Sequence, residues 1–222
     1  DFCTGLTKNL FCSDFDQESS PTDWTATVAT GGGAVAIAGG QNVSCPNGLH
    51  ASVPQAQSSS ATGPTALVAK DVAAAGNHVV LDADVYLPSN DTKSYVGFLG
   101  VRPTAEQGSG AFVTHHGDAF WFVSVAQPVN GSLNVAISPA PLTGAWSHMT
   151  LDVHFGQGNA GSITLTYIGA DNASHMVTGM GTTANATVTG ATVEAGMFVA
   201  GFTGSEAAFD AYYDNVVLKT GT

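Results

Sequence analysis

The sequence predicts an all-β protein built from two antiparallel layers, and three observations carry that prediction. Short runs of alternating apolar residues recur from one end to the other, Gly, Pro, Asn and Asp punctuate them, and helix signals are poor. The clearest run is Val79-Val80-Leu81-Asp82-Ala83-Asp84-Val85-Tyr86-Leu87. One face of it reads Val79, Leu81, Ala83, Val85 and Leu87, the other Val80, Asp82, Asp84 and Tyr86. Period two with one dry and one wet side marks a strand that covers a core on one face only.

The remaining elements follow in chain order. The Gly31–Gly40 stretch is rich in Gly and Ala, yet Val35 and Ile37 at strand spacing predict a strand. Gln55–Gly63 is Ser-rich and reads as a surface loop, while Ala66–Ala75 is the one candidate for a short helix, penned in by Gly63-Pro64 and Gly76-Asn77. Around residue 120, Trp121, Val123 and Val125 make an apolar face expected in the core, opposite His116, Asp118, Phe120, Phe122 and Ser124. Leu133–Ile137 alternates before Ser138-Pro139. From residue 148, His148, Thr150, Asp152 and His154 oppose Met149, Leu151, Val153 and Phe155. Ser162–Tyr167 alternates before a turn at Gly169–Asn172. With 222 residues, no repeat and no boundary signal, a single domain 1–222 is expected.

Composition narrows the function classes. Five Lys and Arg stand against 17 Asp and Glu, a formal net charge of −12. That balance argues against nucleic acid and anionic membrane surfaces as partners, since both demand clustered cations. No uninterrupted apolar run of 18 residues occurs, so membrane insertion is not expected. Cys3 and Cys12 lie close together near a terminus, where a bridge would hold down a segment that otherwise frays; Cys45 is left over. The start at Asp1 rather than Met fits a removed leader or a trimmed chain, and five Asn-x-Ser/Thr triplets begin at Asn42, Asn90, Asn130, Asn172 and Asn185. A secreted or cell-surface location is the expectation.

Three segments carry a family resemblance: Phe11-Cys12-Ser13-Asp14-Phe15-Asp16 followed by Trp24, the strand Trp146–Val153, and the C-terminal Phe209–Leu218. Their order resembles the concanavalin A-like and laminin-G-like jelly rolls, which include many lectins and carbohydrate-binding modules. The resemblance implies a two-sheet antiparallel jelly-roll β-sandwich whose first and last strands lie side by side. It also implies a structural calcium there, with Asp14 or Asp16 brought near Asp214; Ca²⁺ takes six to eight oxygen ligands. The alternative for these carboxylates is a solvated strand end or turn cap.

Catalysis finds little support in the residues alone. Retaining glycosidases on related jelly rolls carry paired carboxylates on one strand, and none of the glutamates Glu18, Glu106, Glu194 and Glu206 sits in such a motif. Polyuronide lyases need cations to neutralise a uronate, and Arg102 is the sole arginine, so a lyase is disfavoured. Serine-hydrolase chemistry has no Gly-x-Ser-x-Gly elbow to work with. Among the histidines, His148 and His154 share a strand face but lie about 20 Å apart, too far for one ion; His115 and His116 point to opposite faces, and His50, His78 and His175 stand alone.

Binding fits better. Sugar rings stack on aromatic rings and exchange hydrogen bonds with planar polar groups, and three strands direct such groups away from the core. The expected ligand contacts are Asp82, Asp84, Tyr86, His116, Asp118, Phe120, His148 and His154, lining one groove if their strands share a sheet. The function expected from sequence is therefore an exported, non-catalytic, lectin-like domain that takes a glycan or polysaccharide. The alternative is a subunit that self-assembles into filaments or surface layers, with homo-assembly through strand edges; a polysaccharide-active enzyme comes last.

Overall fold

The computed structural model describes residues 2–6, 11–17, 19–58, 62–73, 77–88, 95–104, 110–116, 120–127, 131–156, 160–180, 188–200 and 204–220. In chain order the strands are β1 (Phe11–Ser13), β2 (Ala26–Thr30), β3 (Ala34–Gly39), β4 (Asn47–Val53), β5 (Ala56–Ser58) and β6 (Thr62–Ala73). There follow β7 (His78–Tyr86), β8 (Tyr95–Pro103), β9 (Gly110–His116), β10 (Phe120–Gln127), β11 (Gly131–Ile137) and β12 (Trp146–His154). The last are β13 (Ser162–Ile168), β14 (Ser174–Met180), β15 (Gly190–Ala200), β16 (Gly204–Glu206) and β17 (Phe209–Thr220).

Two antiparallel sheets form a jelly-roll β-sandwich. The first runs β14-β13-β12-β7-β17-β4-β3, with β1 added beside β17. The second runs β11-β10-β9-β8-β15-β6-β2. First and last strands therefore pair directly, Phe11 opposite Leu218 and Ser13 opposite Val216. Cys3 and Cys12 are joined by a disulfide, which ties the N-terminal arm to β1.

Alternation governs the core. On β7, Val79, Leu81, Ala83 and Val85 are buried, as are Met149, Leu151 and Val153 on β12 and Ile163, Leu165 and Tyr167 on β13. From the second sheet Val96, Leu99, Val101, Ala111, Val113, Ala191, Val193 and Met197 face them. Burying a side chain of this size removes enough apolar surface to contribute roughly 1.5–3 kcal/mol.

Two segments differ from the sequence expectation. The helix candidate Ala66–Ala75 lies mostly in strand β6, where Ala66, Leu67 and Val68 are buried between β2 and β15. Ala-rich propensity loses there to two ladders of backbone hydrogen bonds. The expected loop Gln55–Gly63 contains β5, which pairs β16, and the start of β6.

Tyr213 joins the layers. Its ring is fully buried on β17, and its hydroxyl lies 2.9 Å from the Gly196 carbonyl and 3.1 Å from that of Phe98, both in the second sheet. Burial pushes its pKa far up, so the phenol stays a donor. At Gly196 φ is +131°, and a Cβ there would sit 2.4 Å from the Ala66 carbonyl oxygen, so only glycine fits the bulge that presents this acceptor. Tyr213→Phe should lower unfolding free energy by about 1–3 kcal/mol, since a buried acceptor loses its donor while packing is kept. Urea denaturation of both proteins measures it, and equal midpoints would show the link to be idle.

Candidate active site

The outward face of the first sheet carries a dense polar network. Asp82 accepts from Thr150 Oγ1 at 2.6 Å and pairs with Lys219 at 2.6 Å. Asp84 accepts from Asn215 Nδ2 at 2.8 Å and lies 2.8 Å from His148 Nδ1. That contact, the largest cause, raises the His148 pKa above its ordinary 6.5 against a partial desolvation cost. Register places Trp146, Tyr86, Tyr212 and His50 directly across β12, β7, β17 and β4. Successive ring centroids are 5.8, 5.9 and 4.5 Å apart, giving a continuous aromatic row across four strands. Next to it His50 contacts Asp210 at 2.7 Å. The carboxylates Asp82, Asp84, Asp152 and Asp210 outnumber the cations here, so the face repels anions and suits neutral sugars.

The second sheet's outward face is more sheltered. Phe112 and Thr114 are buried although their neighbours Ala111, Val113 and His115 fill the core side of β9. Gly100 makes room for this: a Cβ there would meet the Phe112 ring at 2.5 Å. Arg102 lies over the Phe112 ring, 5.2 Å from its centre, and pairs with Glu194, whose side chain is only 12% exposed. Arg102 stands opposite Thr192, and Thr192 opposite Asp71, whose carboxylate accepts from Thr192 Oγ1 at 2.6 Å. Central strands β8, β15 and β6 thus bring Arg102, Glu194, Thr192 and Asp71 together. Arg102 Nε is buried without a hydrogen-bond partner, and a pocket lined by Asp71, Val72, Ala73, Thr104, Thr189 and Gly190 opens beside the row. A sheltered guanidinium with an unused donor is suited to hold a carboxylate. Farther along this face Tyr95 and His116 pack ring to ring at 4.2 Å.

The expected ligand contacts are therefore divided. Asp82, Asp84, Tyr86, His148 and His154 share the first sheet's outward face, whereas His116 belongs to the second sheet, so no single groove holds them all. Asp118 lies outside the described residues; Phe120 begins β10, but its side chain is not described. His78 does not stand alone: it is directly opposite His154. His115 points into the core, where burial, helped by His116, pushes its pKa down to about 4. Sequence reasoning missed Glu194, Asp71 and Thr192. The alternation Ala191, Val193, Ala195, Met197, Val199 was the available signal for a strand that turns Thr192 and Glu194 outward.

The oxygens of the expected calcium ligands Asp14, Asp16 and Asp214 do not all come within 4.8 Å of one another, and each carboxylate is engaged in its own way. Asp14 accepts from the backbone N–H of Cys3 and Asp16. Asp214 accepts from the N–H groups of Val43, Ser44 and Asn215 and from the Ser44 hydroxyl. These donors aim protons at the lone pairs a cation would use. Asp16 accepts from Asn47 N–H with one oxygen, and its other oxygen, Oδ2, is buried without a partner. Of the three, Asp16 has the chemistry a hard cation needs.

No family model and no curated protein matches the chain. Solved structures do. An endo-β-1,4-glucuronan lyase from the fungus Trichoderma reesei aligns over 96% of both chains with a TM-score of 0.70 and 15% identity. A marine alginate lyase from Aplysia kurodai aligns over 97% of this chain and 100% of its own, at 0.70 and 10%. A cellulose-induced protein aligns over 95% and 97%, at 0.65 and 15%. Such identities establish the shared jelly-roll fold. They also correct the expectation of a non-catalytic lectin: the solved structures that share this fold over most of the chain include glucuronan and alginate lyases, which are enzymes.

The Asp84 contact gives a pH test. The folded pKa of His148 lies above its unfolded 6.5, so its protonation contributes stability below about pH 6.5 and that contribution is lost as pH rises through the folded midpoint. An NMR titration should place the His148 midpoint above 6.5, and Asp84→Asn should return it towards 6.5. Coincident midpoints in the two proteins would remove the carboxylate as cause.

Proposed function

We propose that the protein is a polysaccharide-active enzyme that cleaves a uronate-containing chain by β-elimination on the outward face of its second sheet. The observation that carries this reading is Arg102, held by Glu194 and keeping its Nε without a partner, on a fold shared with solved structures described as glucuronan and alginate lyases. In the reaction Arg102 binds the uronate carboxylate and withdraws charge from it, which acidifies the C5–H bond. Glu194, already oriented by Arg102, takes the C5 proton; the electron pair forms the C4–C5 double bond, and the C4–O bond breaks. The departing oxygen takes a proton from Glu194, so the carboxylate is restored and no water is consumed. Asp71 and Thr192 shape the neighbouring subsite. The concanavalin A-like assignment belongs to the same reading, as does a location outside the cytoplasm, which the Cys3–Cys12 disulfide favours.

A panel of polyuronides that includes alginate and glucuronan tests the reaction through the ultraviolet absorbance of the unsaturated product. Arg102→Ala should lower kcat/KM by roughly 100-fold or more, a loss typical of removing one charge-stabilising group. Because the protein carries −12, moderate salt should lower KM for a polyanion by screening mutual repulsion. Parent protein inactive on every polyuronide, or Arg102→Ala as active as the parent, would reject the reading.

The aromatic row favours a second, accessory role for the first sheet: holding a neutral stretch of the same polysaccharide through Tyr86, Tyr212 and Trp146, with Asp82, Asp84 and His148 as hydrogen-bonding partners. On a polysaccharide that carries neutral sugars beside uronates, Tyr86→Ala would weaken polymer retention and leave turnover of short oligosaccharides intact; unchanged retention would remove the accessory role.

A structural calcium at Asp16 completes the proposal. Its support is that Asp16, in the turn after the first strand, and Asp214, on the last strand, hold opposite ends of the 43–47 segment, with one Asp16 oxygen left bare. Chelation should lower Tm by several degrees, since a ligand bound only by the folded state stabilises it, and added Ca²⁺ should restore it. A melting curve indifferent to both would exclude the site.

A further inference from the structure

At the far end of β7 and β12, on the same outward face as Asp82, Asp84 and His148 but at the opposite strand ends from Tyr86 and Trp146, two imidazoles and a carboxylate converge. His78 and His154 are directly opposite in the antiparallel register, and Asp152 is two residues before His154 on the same face. His78 Nε2 lies 2.8 Å from Asp152 Oδ1, and His154 Nε2 lies 3.4 Å from the same oxygen. The two rings stack with centroids 3.7 Å apart and planes inclined by 20°. Among the described residues this is the one group of three His, Cys, Asp or Glu side chains whose ligand atoms all fall within 4.8 Å of one another.

We propose that His78, Asp152 and His154 form a binding site for one borderline divalent transition metal, of the Zn²⁺, Cu²⁺ or Ni²⁺ class. Ligand atoms about 2.0–2.2 Å from a tetrahedral Zn²⁺ lie about 3.3–3.6 Å apart. The His154–Asp152 separation already matches this, and the His78–Asp152 separation needs to open by about half an ångström. Two imidazoles and one carboxylate select these metals over Ca²⁺ and Mg²⁺, which take all-oxygen shells. Three protein ligands leave a fourth position for water or a ligand from solvent. Partial exposure, 22% at His78 and 50% at His154, gives an ion a way in. The pairing of β7 with β12 fixes the backbone positions of all three ligands, and each stacked imidazole has only to turn its Nε2 onto the ion.

The site depends on neither the lyase reading nor calcium, and the test keeps all three apart. The full chain carrying Cys45→Ser, which removes the exposed free thiol, is titrated calorimetrically with ZnCl₂, and separately with CuCl₂, in buffer with excess Ca²⁺. One equivalent should bind, with affinity falling as pH drops because protons compete for the imidazoles. His154→Gln and His78→Gln should each weaken binding at least tenfold, the lower end of losses seen for even indirect metal contacts. His175→Gln, remote from the triplet, should leave it unchanged. Copper-loaded protein should show nitrogen hyperfine coupling from two imidazoles by electron paramagnetic resonance. No binding, binding unaffected in both triplet variants, or a copper spectrum without imidazole nitrogen would overturn the proposal; His154 is exposed at a strand end, so its variant keeps the test valid if His78→Gln fails to fold.

Discussion

Leu81, Leu151 and Leu165 stand directly opposite one another on β7, β12 and β13, all with no exposed surface, and every outward position on those strands follows from that row. A slip of one residue in any pairing would put Asp82, Thr150 and Thr164 into the core and three leucines into water. The register is consequently fixed by the dry side, and the wet side inherits its geometry without needing to specify it. The aromatic row, the Asp84–His148 contact and the His78–Asp152–His154 triplet are all products of a register that the leucines enforce.

The outward faces then diverge because of what the two sheets owe their neighbours. The first sheet receives both chain ends, so its face is crossed by β17 and presents four aspartates with few cations. Each carboxylate there has a partner, which makes the face a set of satisfied pairs with one aromatic stripe. Residues on the second sheet are instead packed down onto glycine: the Phe112 ring lies against Gly100, and Arg102 lies on that ring. This arrangement buries most of the guanidinium's surroundings while leaving one donor unused, which is the state that favours an incoming anion.

Much of the fold was legible in the sequence, because the strands that mattered alternate cleanly. β7, β12 and β13 could be read with their correct buried faces, and the wet sides of β7 and β12 did carry Asp82, Asp84, Tyr86 and His148 on one surface. Failures have specific causes. Strand β6 was hidden by Ala and Lys, which favour helix locally and yield only to pairing on both sides. Sheet membership of β9 and β10 was invisible, since alternation reports which side of a strand is dry but not which sheet the strand joins. The convergence of His78 on His154 needed the pairing of two strands 76 positions apart at those residues, information carried by neither strand alone.

The scarcity of cations, which argued against a lyase at the level of composition, weakens once the charges have positions. Two packed sheets keep their outward faces more than the roughly 10 Å sheet separation apart, whereas exposed charges are screened over about 8 Å at physiological ionic strength. Asp82, Asp84, Asp152 and Asp210 all lie on the first sheet's outward side, the width of the sandwich away from Arg102, and each is paired there with a lysine or a histidine. What a uronate meets at the second sheet is the local set: one guanidinium in a low-dielectric setting, one carboxylate already neutralised against it, and Asp71 engaged by Thr192. Coulomb attraction between a carboxylate and a guanidinium grows several-fold between bulk water and a partly buried position. On the proposed reading, the position of Arg102 rather than the count of basic residues decides whether a uronate is held.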